Sequence, residues 1–215
     1  MPVDPHAPGR GVIRFPDRVA ASPGHESPHG GGSLGMGLFL ASLGVLFAAT
    51  LVAYLAVRLG AAAETRALAP SLPAGLWAGT ALLAAASVTV QAALGAARTG
   101  RRERLRALLA LTTLLGVAFL AAQAASWLVM LRAERAVAPA LGGVAGVYLV
   151  QFYFLTGLHA AHVLGGLVLM AHVTRTAWLG RYSPAWHQGV RHAATYWHFL
   201  GMVWLILFAA LLATH

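Results

Sequence analysis

Cysteine is absent from the 215 residues. That excludes a disulfide framework, a thiolate metal site and a cysteine nucleophile. Lysine is absent as well, so the net charge of +9 is carried by arginine. Charge of either sign is scarce, at 10% of residues, where a soluble domain carries about a quarter. With 59% hydrophobic residues and a mean hydropathy of +0.71, the chain has too little polar material to cover itself in water. Acids are scarcer still. Asp4, Asp17, Glu26, Glu64, Glu103 and Glu134 all fall in an N-terminal tail or between apolar runs. An integral membrane protein without intramembrane carboxylates is poorly equipped as a proton pump or channel. A basic balance can also signal nucleic acid. Here the arginines stand between apolar runs, where membrane proteins keep them, so no nucleic-acid partner is expected.

What is present is five long apolar runs, at about 34–59, 76–97, 105–131, 144–173 and 193–214. Each is long enough to cross roughly 30 Å of hydrocarbon at 1.5 Å per residue. Short connections containing Pro, Gly or Arg suit antiparallel neighbours. The expected fold is all-α: a bundle of five transmembrane helices over 34–215, with the fourth the longest. Residues 1–33, rich in Pro, Gly and His, have no apolar periodicity and read as a flexible tail. The tail histidines His6, His25 and His29 are irregularly spaced and suit a solvated linker. The tail is not read as a signal peptide, because the first run starts too far in and lacks a convincing cleavage site. No internal repeat is visible, which disfavours an inverted-repeat transporter.

Arginine counting sets the orientation. The tail, the second-to-third connection and the fourth-to-fifth connection share one side and hold eleven arginines, against four (Arg58, Arg66, Arg132 and Arg135) on the other. The N-terminus is therefore expected in the cytoplasm and His215 outside.

Within FLTGLHAAHVLGG, His159 and His162 lie three apart and share a helix face. A third imidazole, His198, stands in TYWHFLGMVWLILF. Burying imidazole in an apolar span costs free energy unless a partner is found. A metal site needs about three ligands, often with a carboxylate, and no intramembrane acid or thiol exists. Two histidines on one face cannot hold a single haem from both sides. His198 also lies at a different depth, roughly 7 Å from its cytoplasmic end against roughly 16 Å for His162. Hydrogen-bonded structural histidines are the preferred reading over metal or haem. No catalytic, cofactor-binding or metal residue is assigned in this chain. The structural or lipid-contact candidates are His159, His162, Tyr196, Trp197, His198 and Trp204.

Tyr196, Trp197, Trp178 and Trp186 suit a cytoplasmic-side aromatic belt, with Trp204 deeper on the face of Trp197. Gln91, Gln123 and Gln151 suit hydrogen bonds between helices. The many small residues, Gly157 and Gly165-Gly166 among them, suit close helix approach.

The pairing of FLTGLHAAHVLGG with YWHFLGMVWLILF resembles the last two helices of cytochrome c oxidase subunit III, where the pattern is approximately T-G-x-H-x-x-H-V and Y-W-H-F-x-D-x-x-W. The match is at Thr156, Gly157, His159, His162, Val163, Tyr196, Trp197, His198, Phe199 and Trp204. GVAFLAAQAASW, SVTVQAAL and the first run are similar to earlier segments of the short five-helix bacterial form. Departures cluster at carboxylates: Leu43, Ser126, Arg191 and Gly201 stand where the family commonly has an acid. The chain is identified as a divergent member.

The resemblance implies a non-catalytic accessory subunit of a respiratory haem–copper terminal oxidase, using cytochrome c or quinol, in a bacterial cytoplasmic membrane. It would hold no haem or copper itself. Both are expected in the catalytic subunit, its partner, alongside other oxidase subunits. It would also bind phospholipid and support assembly and stability during electron transfer to oxygen. Two other readings stand beside it: a subunit III-like partner of a nitric oxide reductase or another respiratory complex, and a stand-alone haem- or metal-binding membrane protein.

Overall fold

The structure, a computed structural model, describes residues 31–60, 72–141 and 143–214. They form five helices: α1 (Gly31–Gly60), α2 (Gly75–Arg98), α3 (Arg102–Leu141), α4 (Gly143–Trp178) and α5 (Gln188–Thr214). Each contains a stretch long and apolar enough to cross a membrane. No strand occurs among the described residues. The all-α, five-span architecture expected from the sequence is the one observed.

The ends differ from expectation in one consistent way. α1 begins at Gly31, so the last three positions of the expected tail are helical; the rest of that tail lies outside the described residues. α5 opens at Gln188, with the polar QGVRH already helical. Hydropathy finds the hydrocarbon-crossing part, whereas backbone hydrogen bonding carries a helix on into the headgroup zone. The largest case is α3, which at 40 residues exceeds the 36 of α4. The fourth element is therefore not the longest. At 1.5 Å per residue α3 is about 60 Å long, twice the hydrocarbon thickness. Its crossing stretch ends at Ala133, and the extension RAERAVAPAL is built mostly of strong helix formers.

Two turns of one kind set the topology on the arginine-rich side. After α2, Arg101 N–H donates to the Ala96 carbonyl (3.0 Å) and Gly100 N–H to that of Ala97 (3.2 Å). After α4, Arg181 N–H donates to Thr176 (3.3 Å) and Gly180 N–H to Ala177 (3.0 Å). Both are Schellman terminations, and their pivots, Gly100 and Gly180, have φ of 69° and 70°. Only glycine adopts that conformation without strain. Beyond the second turn, Tyr182 stacks on Trp186 at 5.9 Å. Burial pushes the Tyr182 hydroxyl above its ordinary pKa, opposed by a hydrogen bond with Thr176.

α2 pairs most extensively with α3, α3 with α4, α4 with α5, and α5 returns to α2, closing a four-helix ring. α1 lies outside it and packs chiefly on α5 and α4. Small residues let the ring close. The buried face of α2 is Gly79, Ala86, Ala93, Ala96 and Ala97 among larger groups. Thr89 and Thr112 hydroxyls meet at 2.9 Å across α2 and α3. Gly116 is a close approach: a Cβ there would stand 2.6 Å from the Trp197 ring and 2.8 Å from Leu167. In lipid, where apolar surface gives helices no reason to associate, such packing holds them together.

Candidate functional site

The TGLHAAH and YWHFLGMVW segments meet in the bundle centre. His159 on α4 is fully buried. Rings from three other helices enclose it: Trp204 of α5 at 5.2 Å between centroids, Phe119 of α3 at 5.9 Å and Phe47 of α1 at 6.0 Å. Neither ring nitrogen meets a protein hydrogen-bond partner. Trp204, also fully buried, packs on Phe119 at 5.2 Å and stacks on Phe208 at 6.2 Å. Its indole N–H donates to Thr80 Oγ1 on α2 at 2.9 Å. The Trp204 indole thus ties α2 to the ring cluster on the other helices.

His162 is half-buried. Its Nδ1 lies 2.7 Å from the Leu158 carbonyl. A carbonyl only accepts, so Nδ1 donates and Nε2 is left as the acceptor of the neutral ring. The ring faces Phe47 at 5.2 Å. The His162 backbone carbonyl accepts the Tyr196 hydroxyl at 3.1 Å, joining α5 to α4. His198 stands apart from both: its Nε2 donates to Gln91 Oε1 on α2 at 3.2 Å. Among the described residues no group of three or more His, Cys, Asp or Glu gathers as a metal site would require.

Four of the six candidates, His159, Tyr196, Trp197 and Trp204, are buried, leaving His162 and His198 half-buried. The expected aromatic belt is therefore corrected. Trp197 and Tyr196 are core residues, because Gly116 on α3 and Gly166 on α4 leave a hollow that receives Trp197. Trp178 and Trp186 are the exposed pair, and Trp178 ends α4 rather than lying in the loop. Among the glutamines, Gln91 bridges helices, while Gln123 Nε2 and Gln151 Oε1 are buried without a protein partner.

The carboxylate departures have neighbours that fit them. Ser126 is buried and donates to Ala122 O at 2.8 Å, under the backbone of Gly75, where any Cβ would collide with its hydroxyl. A Cβ on Gly201 would stand 3.3 Å from Ser87 Oγ, at the edge of a cavity of about 400 Å³ that Ser87, His198 and Gly201 line. Leu43 is buried in the apolar core and Arg191 is exposed.

Sequence reasoning missed two anchors. Thr156, fully buried, accepts the Trp127 indole N–H at 3.0 Å and donates to Phe152 O at 2.7 Å, pinning α3 to α4. Arg58, 2% exposed, donates from Nε to the Thr214 carbonyl at 3.0 Å. Beside it, the Tyr54 hydroxyl meets Thr214 Oγ1 at 2.8 Å. The sequence carried Arg58 only as one of four arginines counted for the side opposite the tail.

The model of the family "Cytochrome c oxidase subunit III" matches residues 24–213. The chain is 36% identical over 132 residues to "Cytochrome c oxidase subunit 3" of Danio rerio, covering 61% of this chain and 47% of that protein. It is 30% identical over 132 residues to "Probable cytochrome c oxidase subunit 3" of Nocardia farcinica, covering 61% and 62%. To "Cytochrome c oxidase subunit 3" of Synechocystis it is 31% identical over 128 residues, covering 59% and 51%. The matched stretch spans about half the length of most of these curated relatives.

Proposed function

Since this chain belongs to the cytochrome c oxidase subunit III family, we propose that it is the accessory, non-catalytic subunit of a respiratory haem–copper terminal oxidase. It is a multi-pass membrane protein, placed by this reading in a bacterial cytoplasmic membrane with its arginine-rich side in the cytoplasm. Its partner is the catalytic subunit, which carries the haem and copper, with other oxidase subunits and phospholipid around it. The observation that carries the reading is the family match across all five helices. The interior agrees with a bracing role. His159 is shut in by the rings of Phe47, Phe119 and Trp204, an arrangement that packs four helices together.

Affinity purification of the tagged chain from native membranes tests this. A large haem-bearing partner and oxygen consumption are expected to accompany it. A partner that reduces nitric oxide instead, or haem held by this chain alone, would overturn the reading. In the assembled complex, His162→Ala removes the Phe47 ring contact and is expected to loosen subunit association while the first-turnover electron-transfer rate persists. Loss of the haem spectrum at normal subunit content would contradict a non-catalytic role.

A further inference from the structure

The seam between α2 and α5 is polar at three levels. Toward the end of α2 away from the arginines, the Trp204 indole donates to Thr80 at 2.9 Å. Nearer the arginine-rich side, His198 donates to Gln91 at 3.2 Å. Between these rungs Ser87 faces Gly201, where an added Cβ would stand 3.3 Å from the hydroxyl oxygen. There the seam widens into the cavity of about 400 Å³, which Ala84, Met202 and Leu205 also line. Those three are exposed, so the cavity opens on the outside of the ring.

Three polar groups are left over around this opening. With Nε2 donating to Gln91, His198 Nδ1 is the acceptor of the neutral ring. Among the described residues it meets no donor, and the Ser87 hydroxyl and the Gln91 amide N–H groups meet no acceptor. Gln91 is exposed, and Ser87 and His198 are half-buried. α2 ends at Arg98, and Gln91 and Ser87 lie about 10 and 16 Å inward from it at 1.5 Å per residue. That is within the hydrocarbon, where a phospholipid brings only acyl chain. Polar groups turned outward at such depth are costly, and another helix is what answers them.

We propose that a transmembrane helix of another polypeptide covers this face and seats a carboxylic acid side chain, Asp or Glu, in the cavity. A carboxyl group in its acid form matches the three groups: its carbonyl oxygen accepts from Ser87 and Gln91, and its hydroxyl donates to His198 Nδ1. A second copy of this chain does not supply that group, because all six acids fall outside the five apolar runs. The docking face rests on the accessory-subunit reading above and adds to it the place and the chemistry by which a partner is held.

Photoreactive benzoylphenylalanine in place of Met202, in the full-length chain in native membranes, tests this, with the cross-linked peptides identified by mass spectrometry. The expected product joins position 202 to an apolar segment of a different polypeptide that contains Asp or Glu. Ser87→Ala and Gln91→Leu are each expected to lower its yield roughly threefold, the ratio that one interhelical hydrogen bond of average strength gives. Ala84→Phe fills the cavity from its exposed side and keeps all three polar groups. It is expected to abolish the product while the thermal unfolding of the purified chain stays unchanged. Lipid adducts alone, a cross-link to a second copy or to residues 1–30 of the same chain, a partner segment without an acid, or yields indifferent to Ser87→Ala and Gln91→Leu would each overturn the docking face. Those outcomes leave the accessory-subunit reading standing on the haem that co-purifies. A cross-linked partner belonging to no haem-bearing complex would instead overturn that reading and keep the face.

Discussion

The α2–α5 ring and the outlying α1 are made of similar residues but held by different means. Of the crossing stretch of α1, 17% is buried, against 39% for α2, α4 and α5. The ring interlocks through full-sized side chains seated against missing ones, as Trp197 is against Gly116 and Gly166. α1 instead touches the ring at a few points. Phe47 meets His159 and His162, Phe39 meets Tyr196 at 6.0 Å, and Tyr54 and Arg58 clasp the end of α5. Hydropathy alone makes the two regions look alike, with α1 the more apolar. What separates them is complementarity of shape, which in lipid does the work that aversion to water does elsewhere.

The sharpest way to break that contrast is to hollow out the ring. Trp204→Ala deletes the indole that touches His159, Phe119 and Phe208 and frees the Thr80 hydroxyl. The expected cost is about 3–5 kcal/mol, the range for large aromatic truncations in a packed interior. Thermal unfolding of the detergent-purified chain, followed by helical circular dichroism, measures it. If an α1 variant such as Phe39→Ala costs as much, the ring is no sturdier than its attachment and the comparison collapses.

The clasp offers the opposite case. Arg58→Met keeps the apolar stem but removes the donor to the Thr214 carbonyl. Leaving a half-buried acceptor unpaired costs about 1 kcal/mol, the low end for an unsatisfied group, and here the loss is confined to one end of α1. The chain has no cysteine, so a single Val57→Cys reports on that end. Maleimide labelling is expected to accelerate in the Arg58→Met background while the unfolding temperature of the ring moves little. A shift as large as that of Trp204→Ala would mean that the clasp supports the whole bundle.

The same contrast explains what the sequence made legible. The five spans could be read because continuous apolar runs, set off by arginine and glycine, have few other structural solutions. TGLHAAH and YWH could be read as a meeting place because their polar groups stand out against apolar neighbours. Trp197 was misplaced because a tryptophan near a helix start looks the same in a headgroup belt and in a core. The glycines that receive it lie on two other helices. Arg58 was counted only toward the charge of one side for a similar reason: its burial depends on where the last residues of α5 arrive. The length of α3 was hidden because RAERAVAPAL is helical by propensity while being too polar to register as a span. For Trp197 and Arg58 the missing information was a pairing between segments far apart in the chain.

The finest distinction lies between the two kinds of intramembrane histidine. His159 is held by ring contacts alone, whereas His198 is half-buried and donates to Gln91 at 3.2 Å. If the latter hydrogen bond is the link between α5 and α2 at that level, His198→Ala and Gln91→Ala must be coupled. Interhelical bonds of this kind average about 0.6 kcal/mol in membrane proteins, because each partner finds substitutes when the other is lost. A double-mutant cycle on unfolding free energy is therefore expected to return about 0.6 kcal/mol of coupling. Pairing His159→Ala with Gln91→Ala supplies the control and is expected to be additive, since the contacts of His159 are with α1, α3 and α5. Additivity in both cycles would assign His198 to the lipid-facing surface and leave the α2–α5 seam to shape alone. Coupling well above 1 kcal/mol would instead make the polar bond a principal fastening of the ring, on a par with its steric interlocks.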